Sequence, residues 1–449
     1  MILPAIALSL TLLPSAYGGA PELRLSLKDA EAAALADSPR LRSAELEAEA
    51  ADNLARSQRS ILYPRLELES SAKYVTEVPE ISLPVPGARA LKLGDNWNYT
   101  VGPSLYWTAF DNGARRYGWR SLKELAQSKH RQAEGVRREI ILQARSDYFK
   151  LELSLEQTVL IGDSLKLAQA QYEDIRLNVK AGVKSRIDEL LSHQELLARR
   201  RELQQARAAL AQSLRDLFAL TGLGSGLDAS FAMDLSARDS MPKDVEPPTL
   251  FLGVDTIEDS LMALEPARSA QPDPSHPNLE ALSELSRSLR SASQSYASEK
   301  WPIVQLMART SLDYPNGPIL KQINQNTAGI SVSMPLFEYG KNDEKTKENA
   351  NRASSAQESR KQLEDDILRD WRKSHDRLKS LAGQQETNKL AAREARELAA
   401  LVYDSYKAGR STYIEVETAN LRELEAKVQT ADTGAQILLE LAILAGLSR

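Results

Sequence analysis

Two stretches of strict alternation, each opening just after a proline, punctuate a chain whose remaining apolar residues recur at helical spacing. After Pro64, Leu66, Leu68, Ala72 and Tyr74 share one face of a predicted strand, and Arg65, Glu67, Glu69 and Lys73 share the other. A partner strand sets Trp97, Tyr99, Val101, Leu105, Trp107 and Ala109 against Asn96, Asn98, Thr100, Gly102, Ser104, Tyr106 and Thr108. After Pro302, Val304, Leu306, Ala308, Leu312 and Tyr314 oppose Arg309 and Asp313, with Ile303 and Met307 blurring the alternation. Ala328, Ile330, Val332, Met334 and Leu336 then alternate with Thr327, Gly329, Ser331 and Ser333. Loops 79–95 and 315–325 separate the strands of each pair. Each predicted strand has about ten residues, close to what a tilted strand needs to cross a bilayer. One polar and one apolar face fits the wall of an outer-membrane barrel; a pair of soluble hairpins packed on helices fits the same alternation.

Between and after the strands the period is helical. From Leu27 to Leu62 the sequence is rich in Ala, Glu, Arg and Leu without glycine and stops at Pro64, which predicts one helix. Its counterpart runs from Asn278 to Lys300. Gly113 to Gly182 and Gly340 to Gly409 each enclose 68 residues without proline, which as helices would be about 100 Å long. Within the first, Leu122, Leu125, Lys129, Ala133, Val136, Ile140, Ala144, Tyr148, Leu151, Leu155 and Val159 make one stripe with a mean step near 3.7, so neighbouring helices can pack with little supercoiling. The returning helices, 184–220 and 411–444, are half that length.

The chain states this unit twice. Pro39 and Pro64 recur as Pro277 and Pro302 at an offset of 238. Gly102, Phe110, Gly113 and Lys180-Ala181-Gly182 recur as Gly329, Phe337, Gly340 and Lys407-Ala408-Gly409 at an offset of 227. This divides the chain into residues 1–20, a first repeat 21–222, an inter-repeat segment 223–277 and a second repeat 278–449. Residues 1–20 are apolar and end in small residues, with Ala16-Tyr17-Gly18 as a cleavage site, which predicts a signal peptide; a buried N-terminal helix is the other reading. The inter-repeat segment carries Gly222, Gly224 and Gly226 and a cluster of prolines. It predicts a short helix at 257–265 and a flexible inserted loop from Pro266 to Pro277.

Composition narrows the chemistry. A net charge of -5 argues against a nucleic-acid surface, and 6% aromatic content suits thin Ala and Leu layers better than a thick core. With no cysteine, disulfides, thiolate metal sites and a cysteine nucleophile are excluded. His130, His193, His276 and His375 are scattered without ligand spacing, and no nucleophile set is visible, so neither a metal, a cofactor nor an enzyme activity is expected. Gly222-Leu223-Gly224-Ser225-Gly226 follows a helix and lacks a Lys-Ser/Thr ending, so it reads as a helix stop rather than a phosphate loop. No stretch after residue 20 reads as about 20 apolar residues in a row, so insertion into lipid must use strands. Four strands cannot close, since open edges in lipid leave unpaired backbone groups; two copies would give eight strands with little lumen, three would give twelve and an open pore.

The opening Leu25-Ser26-Leu27-Lys28-Asp29-Ala30, then Asp37-Ser38-Pro39-Arg40-Leu41, Ile61-Leu62-Tyr63-Pro64, Phe110-Asp111-Asn112-Gly113 with Phe337-Glu338-Tyr339-Gly340, and Tyr406-Lys407-Ala408-Gly409 together resemble the TolC-like outer-membrane efflux protein family over nearly the whole chain. The resemblance implies a mainly α fold with a transmembrane β-barrel contribution: a homotrimer with a twelve-stranded barrel in outer-membrane lipid and an α-helical tunnel through the periplasm. It further implies docking to a periplasmic adaptor (membrane fusion) protein and, through it, an inner-membrane pump. The lipid-facing strand residues are then Trp97, Tyr99, Leu105, Trp107, Ile330, Val332 and Leu336. The adaptor-docking tips are Ala181, Gly182, Val183, Ala408 and Gly409, and Asp188, Glu415, Tyr406 and Arg410 form a periplasmic constriction. Here the chain departs from the family pattern: Thr418 stands where a second acidic ring is usual, and Ser411 stands at the usual arginine.

A carboxylate repeated by threefold symmetry favours cations. Its crowding needs donors such as Tyr406, Arg410 or Arg186 bonding across the interface when the duct is closed. Asp188 and Glu415 serve equally as solvated first-turn acids complementing a helix dipole. A soluble helical coiled-coil scaffold without a pore accounts for the helices but not for two-faced strands carried twice. Whether the cargo is a small toxic compound, a metal or a secreted polypeptide is left open. Arginine at Leu105 or Val332 should block membrane assembly, whereas arginine at Ser104 or Ser331 should be tolerated better.

Overall fold

The computed structural model describes residues 22–81, 90–223 and 251–448; the signal-like start and the segment 224–250 lie outside the described residues. In chain order the elements are β1 (Glu22–Leu25), α1 (Leu27–Ala36), α2 (Pro39–Ser60), β2 (Arg65–Tyr74), β3 (Glu80–Ile81), β4 (Leu91–Lys92), β5 (Trp97–Phe110), α3 (Ala114–Lys180), α4 (Arg186–Thr221), β6 (Phe251–Val254), α5 (Ile257–Leu264), a 3-10 turn (Glu265–Ser269), α6 (Pro277–Ser298), β7 (Ile303–Tyr314), β8 (Ile323–Ser333), α7 (Lys341–Lys407) and α8 (Tyr413–Leu447). The chain forms two compact units, and each draws on both sequence repeats. One takes residues up to Ser43, Ala133–His276 and Leu363–Arg449; the other takes Ala44–Gln132 and Pro277–Gln362.

In the first unit the core joins Leu25 of β1 and Ala30 of α1 with Tyr148, Leu151 and Leu155 of α3, Leu210, Leu214 and Leu217 of α4, Leu378 of α7, and Leu438 and Leu441 of α8. The middle of the predicted stripe of α3, from Ala133 to Leu155, is packed. The helix expected over 27–62 is two helices. Pro39 has no N–H to donate and sits at the first helical position, and the Ser38 hydroxyl accepts from the Leu41 amide at 3.3 Å, so a new helix starts there. α8 also corrects an expectation: by length and composition it is apolar enough to cross a membrane, but half of that stretch is buried in the unit.

A belt made of β1, β6 and α5 packs against this core. β1 pairs in parallel with β6, and Tyr148 ties both to α3: its hydroxyl donates to the Leu25 carbonyl at 2.8 Å and accepts from the Asp255 amide at 3.0 Å. α5 starts at a capping box between Thr256 and Asp259. Its Ser260 donates to the buried Glu152 at 2.5 Å, while the second Glu152 oxygen is buried without a partner. Burial, with the nearby Asp255 and Asp259 charges, outweighs that bond and raises the Glu152 carboxyl to about 8. The stretch expected as a flexible loop after Pro266 is held: Trp371 donates to the Ala270 carbonyl, Pro272 bridges Ser448, and Arg138 donates to the buried Asp273 at 2.8 Å. Backbone and ion-pair partners far along the chain restrain it, which spacing could not reveal.

In the second unit α6 packs through serines. Ser128 donates to the Ala281 carbonyl, Ser286 to Ala353, Ser293 to Thr346 and Ser295 to Ala114, while Ser291 donates to the buried Glu124 and Ser121 bonds Ser288. Small side chains let α3, α6 and α7 pack closely, and each of these hydroxyls finds a carbonyl, carboxylate or hydroxyl partner. The same unit carries a four-stranded antiparallel sheet in the order β2-β5-β7-β8.

Candidate pore wall and tip constriction

The strands register apolar against apolar. Leu66 lies opposite Leu105, Ala72 opposite Tyr99, and Tyr74 opposite Trp97. Val101 faces Leu312 and Trp107 faces Leu306; Leu306 in turn faces Ile330, and Val304 faces Val332. Cross-strand partners share a face, so one side of the sheet is mostly apolar, interrupted by Ser70, Thr310, Asn324 and Asn326. It is not covered within the chain: Leu66, Leu68, Ile330 and Val332 are 70%, 76%, 74% and 66% exposed. Such a patch on a water-soluble surface would be a liability.

Aromatic residues gather at both ends of this face. Tyr74, Trp97, Tyr99 and Tyr314 form a chain of ring contacts at 5.1, 6.0 and 5.7 Å at one end, and Trp107 and Phe110 lie at the other. From Tyr99 to Trp107 the strand rises about 27 Å, or about 20 Å along the normal of a barrel tilted at about 40°. Two aromatic girdles bounding an apolar band of about 25 Å are the signature of an outer-membrane wall.

The opposite face is polar and cross-linked. Arg309 donates to the Thr100 hydroxyl at 2.7 Å, Thr100 donates to Asp313 at 2.5 Å, and Tyr106 donates to Glu69 at 2.7 Å. Ser104, expected to be an open polar position, is fully buried here, and its hydroxyl has no partner. Gly102 has a steric reason to be glycine: a Cβ there would lie 2.0 Å from the Thr310 carbonyl oxygen and 2.6 Å from Ser311 Cα. Three residues predicted for the apolar strand faces fall elsewhere. A bulge between Thr108 and Phe110 drops Ala109 from the ladder and sets Phe110 opposite Val304. Met334 and Leu336, both exposed, lie beyond the end of β8 at Ser333.

At the C-terminal ends of α3 and α7 the two repeats make the same tip. Val183 donates its amide to the Asn178 carbonyl and Arg410 to that of Ser405, each closing the helix around a glycine, Gly182 or Gly409, at φ 73°. Ser185 caps α4 through the Ile187 amide, and the Thr412 amide donates to Glu415 at 2.8 Å. Ala181, Gly182, Val183, Ala408 and Gly409 are all exposed. So are the apolar Leu177, Ile187, Leu401 and Ile414 beside them.

The constriction candidates divide. Glu415 is exposed but holds the capping bond, and Arg410 is exposed with no side-chain partner among the described residues. Tyr406 is buried instead of waiting at a surface, against Ile175, Tyr413 and Val416, because its ring fills the space between the two hairpins. Its hydroxyl has no hydrogen-bond partner; burial first, and then the Asp188 charge, hold it protonated far above the ordinary tyrosine value. Arg186 bonds Glu189 on its own helix at 2.5 Å.

Links between the tip hairpins come from residues the sequence reading missed. Lys184 donates to the Tyr406 carbonyl at 2.8 Å with its ammonium 3.7 Å from that ring's centre. Tyr403 donates to Asp174 at 3.2 Å, and burial together with that charge pushes its hydroxyl up to about 12. Below them Arg199 is buried between Glu195 and Glu202, 2.6 Å from each. Three tyrosines, 403, 406 and 413, within one tip of an aromatic-poor chain were the available signal.

The model of the family described as Outer membrane efflux protein matches residues 32–223 and 261–448. No curated protein matches significantly. Among solved structures, the fold is similar to the outer membrane protein VceC of Vibrio cholerae, at 16% identity, TM-score 0.71 and 94% of this chain over 95% of that one. It is similar also to the CmeC outer membrane channel of Campylobacter jejuni, at 14%, 0.71 and 94% over 86%. The open state of the Neisseria gonorrhoeae MtrE outer membrane channel matches at 15%, 0.71 and 94% over 88%.

Proposed function

The chain belongs to the outer membrane efflux protein family and is a non-enzymatic exit duct of the outer membrane with its helical part in the periplasm, and we propose that it works as a homotrimer whose sheets close one twelve-stranded barrel. The observation that carries this reading is a four-stranded sheet with one uncovered apolar face, girdled by aromatics, and two unpaired edges, β2 and β8. In lipid each unpaired backbone group costs several kcal/mol, so the edges must meet those of other copies. Twelve strands leave a lumen lined by the polar face, whereas eight would be filled by side chains. A pore-free scaffold gives no reason for that face.

The tips carry the regulated end. Asp188, Glu415 and Arg410 surround the proposed periplasmic constriction, with Tyr406 packed behind them between the hairpins, and threefold carboxylates there favour cations. Ala181, Gly182, Val183, Ala408 and Gly409, with the exposed apolar residues beside them, form the surface for a periplasmic adaptor coupled to an inner-membrane pump. Residues 1–20 act as the export signal. Cargo is set by the pump.

Single-channel recording of the detergent-purified chain in a planar bilayer, with its mass measured by light scattering, tests this. Trimers giving cation-preferring steps are expected, with Asp188→Ala/Glu415→Ala changing conductance or ion preference. A monomer that never inserts would refute the duct assembly, and an unchanged double variant would return both acids to capping roles.

A further inference from the structure

We infer that the free edge of β8 pairs antiparallel with the free edge of β2 in a neighbouring copy, in the one register that sets Val332 opposite Ser70 and Met334 opposite Leu68. This rests on the trimeric reading above and specifies the seam that reading requires.

The register comes from the duplication. β7 repeats β2 at an offset of 238, and β8 repeats β5 at 227. Applied to the pair Leu66 and Leu105 of β2·β5, these offsets give Val304 and Val332, which do lie opposite one another in β7·β8. The two hairpins are thus superposable ladders. The junction β5·β7 joins the first repeat to the second, and its counterpart is β8 joined to the β2 of another copy. Carried across by the same offsets, Leu105 opposite Ala308 becomes Val332 opposite Ser70, and Val101 opposite Leu312 becomes Ala328 opposite Tyr74. Trp107 opposite Leu306 becomes Met334 opposite Leu68. Every such pair stays on the apolar side, although a shift by one residue would have mixed the faces.

Two further observations point to the same seam. β5 runs to Phe110 where β7 supports it, whereas β8 stops at Ser333, and the equivalent residues Met334 to Phe337 have no strand beside them. Leu336 and Phe337 stand 91% and 76% exposed. Gly102 is glycine because the Thr310 carbonyl comes too close for a Cβ, but its repeat partner Gly329 has nothing within 4 Å inside the chain. In the inferred register the carbonyl of Ala72 and the backbone of Lys73 from the next copy fill that space, as Thr310 and Ser311 do at Gly102. Pairing would extend β8 to Phe337 and remove both open edges.

The chain has no cysteine, so paired substitutions report directly. Val332→Cys/Ser70→Cys, oxidised in detergent, should cross-link copies into reducible dimers and trimers at least about tenfold faster than Val332→Cys/Leu68→Cys or Val332→Cys/Ala72→Cys, because directly opposed residues meet disulfide geometry and diagonal ones do not. Gly329→Val should leave helical circular dichroism unchanged and lower the trimer fraction seen by light scattering. A trimer that cross-links fastest through a shifted pair, or in which Gly329→Val assembles as the parent does, overturns the register and leaves the duct standing. A parent chain that stays monomeric overturns the trimeric reading itself, and the seam with it.

Discussion

Arginine placed on the apolar sheet face should destabilise assembly by an amount set by depth. On β5 the band runs from Tyr99 to Trp107 with Pro103 at its middle. Leu105 lies two residues from Pro103, about 7 Å along the strand and about 5 Å from the midplane for a strand tilted near 40°. An arginine costs about 2–4 kcal/mol at the midplane and about 0–1 near the interface, so Leu105→Arg should cost about 2 kcal/mol per copy, or about 6 per trimer. That is a factor of roughly 10⁴ in the assembly equilibrium. Trp97→Arg, about 15 Å from the midplane by the same geometry, should cost about 1 kcal/mol or less in charge transfer. Ser331→Arg, exposed on the polar face opposite Gln305, should cost almost nothing. Ser104, the polar control the alternation suggests, is unsuitable because it is fully buried and arginine there would overpack the sheet. Trimer fraction by light scattering, followed by urea titration after refolding into vesicles, provides the ranking. Equal loss from Leu105→Arg and Ser331→Arg would refute the assignment of faces, and equal loss from Leu105→Arg and Trp97→Arg would refute the depth argument.

Glu152 binds its proton more tightly folded than unfolded, so no stability is lost below about pH 4.5. Stability then falls as pH rises toward about 8 and is flat above, by up to a few kcal/mol. Glu152→Gln should abolish that slope, seen in urea midpoints at pH 5 and 8; a wild-type chain without the slope counts against a buried neutral carboxyl. Gly102→Ala should force β5 and β7 apart by more than about 1 Å and cost several kcal/mol through broken ladder bonds, whereas normal assembly of that variant would contradict the close approach. Arg199→Ala leaves the buried Glu195 unpaired and should lower stability by about 3–5 kcal/mol, with Glu195→Gln/Arg199→Met recovering much of it; a silent single variant would show the ion pair to be open to water. Tyr403→Phe removes one link between the tip hairpins, so open probability in bilayer recordings should rise; no change would assign the bond to Asp174 a packing role only.

What the sequence made legible is what repeats over many residues. Period two exposed the faces of β2, β5, β7 and β8, because one misplaced side chain hardly disturbs ten. The glycines at 182 and 409 marked the helix ends since no other residue closes them as cheaply in φ. Single-residue effects stayed hidden. The break at Pro39 depends on whether Ser38 caps a helix, and the bulge that drops Ala109 depends on which strand lies alongside. β1 and β6 have four residues each, too few for a period. Tyr148 counted correctly as an apolar stripe member, yet its hydroxyl pins the belt, and no spacing says where a lone hydroxyl will find its partners. At the tips, Tyr406 was expected at an interface and is buried within the chain, since the sequence does not tell which of two neighbouring hairpins a ring will fill.

The sheet order has a kinetic consequence. The middle ladder joins Tyr99 to Tyr314, more than 200 residues downstream, and the helical core joins Leu25 to Leu438 and Leu441 near the very end. Neither can form until those later residues arrive, so the first repeat waits with one edge of β5 unpaired. Contacts this remote make for slow, late closure and a long-lived sticky intermediate. A chaperone that shields those strand faces while they wait should therefore raise the yield of assembled duct.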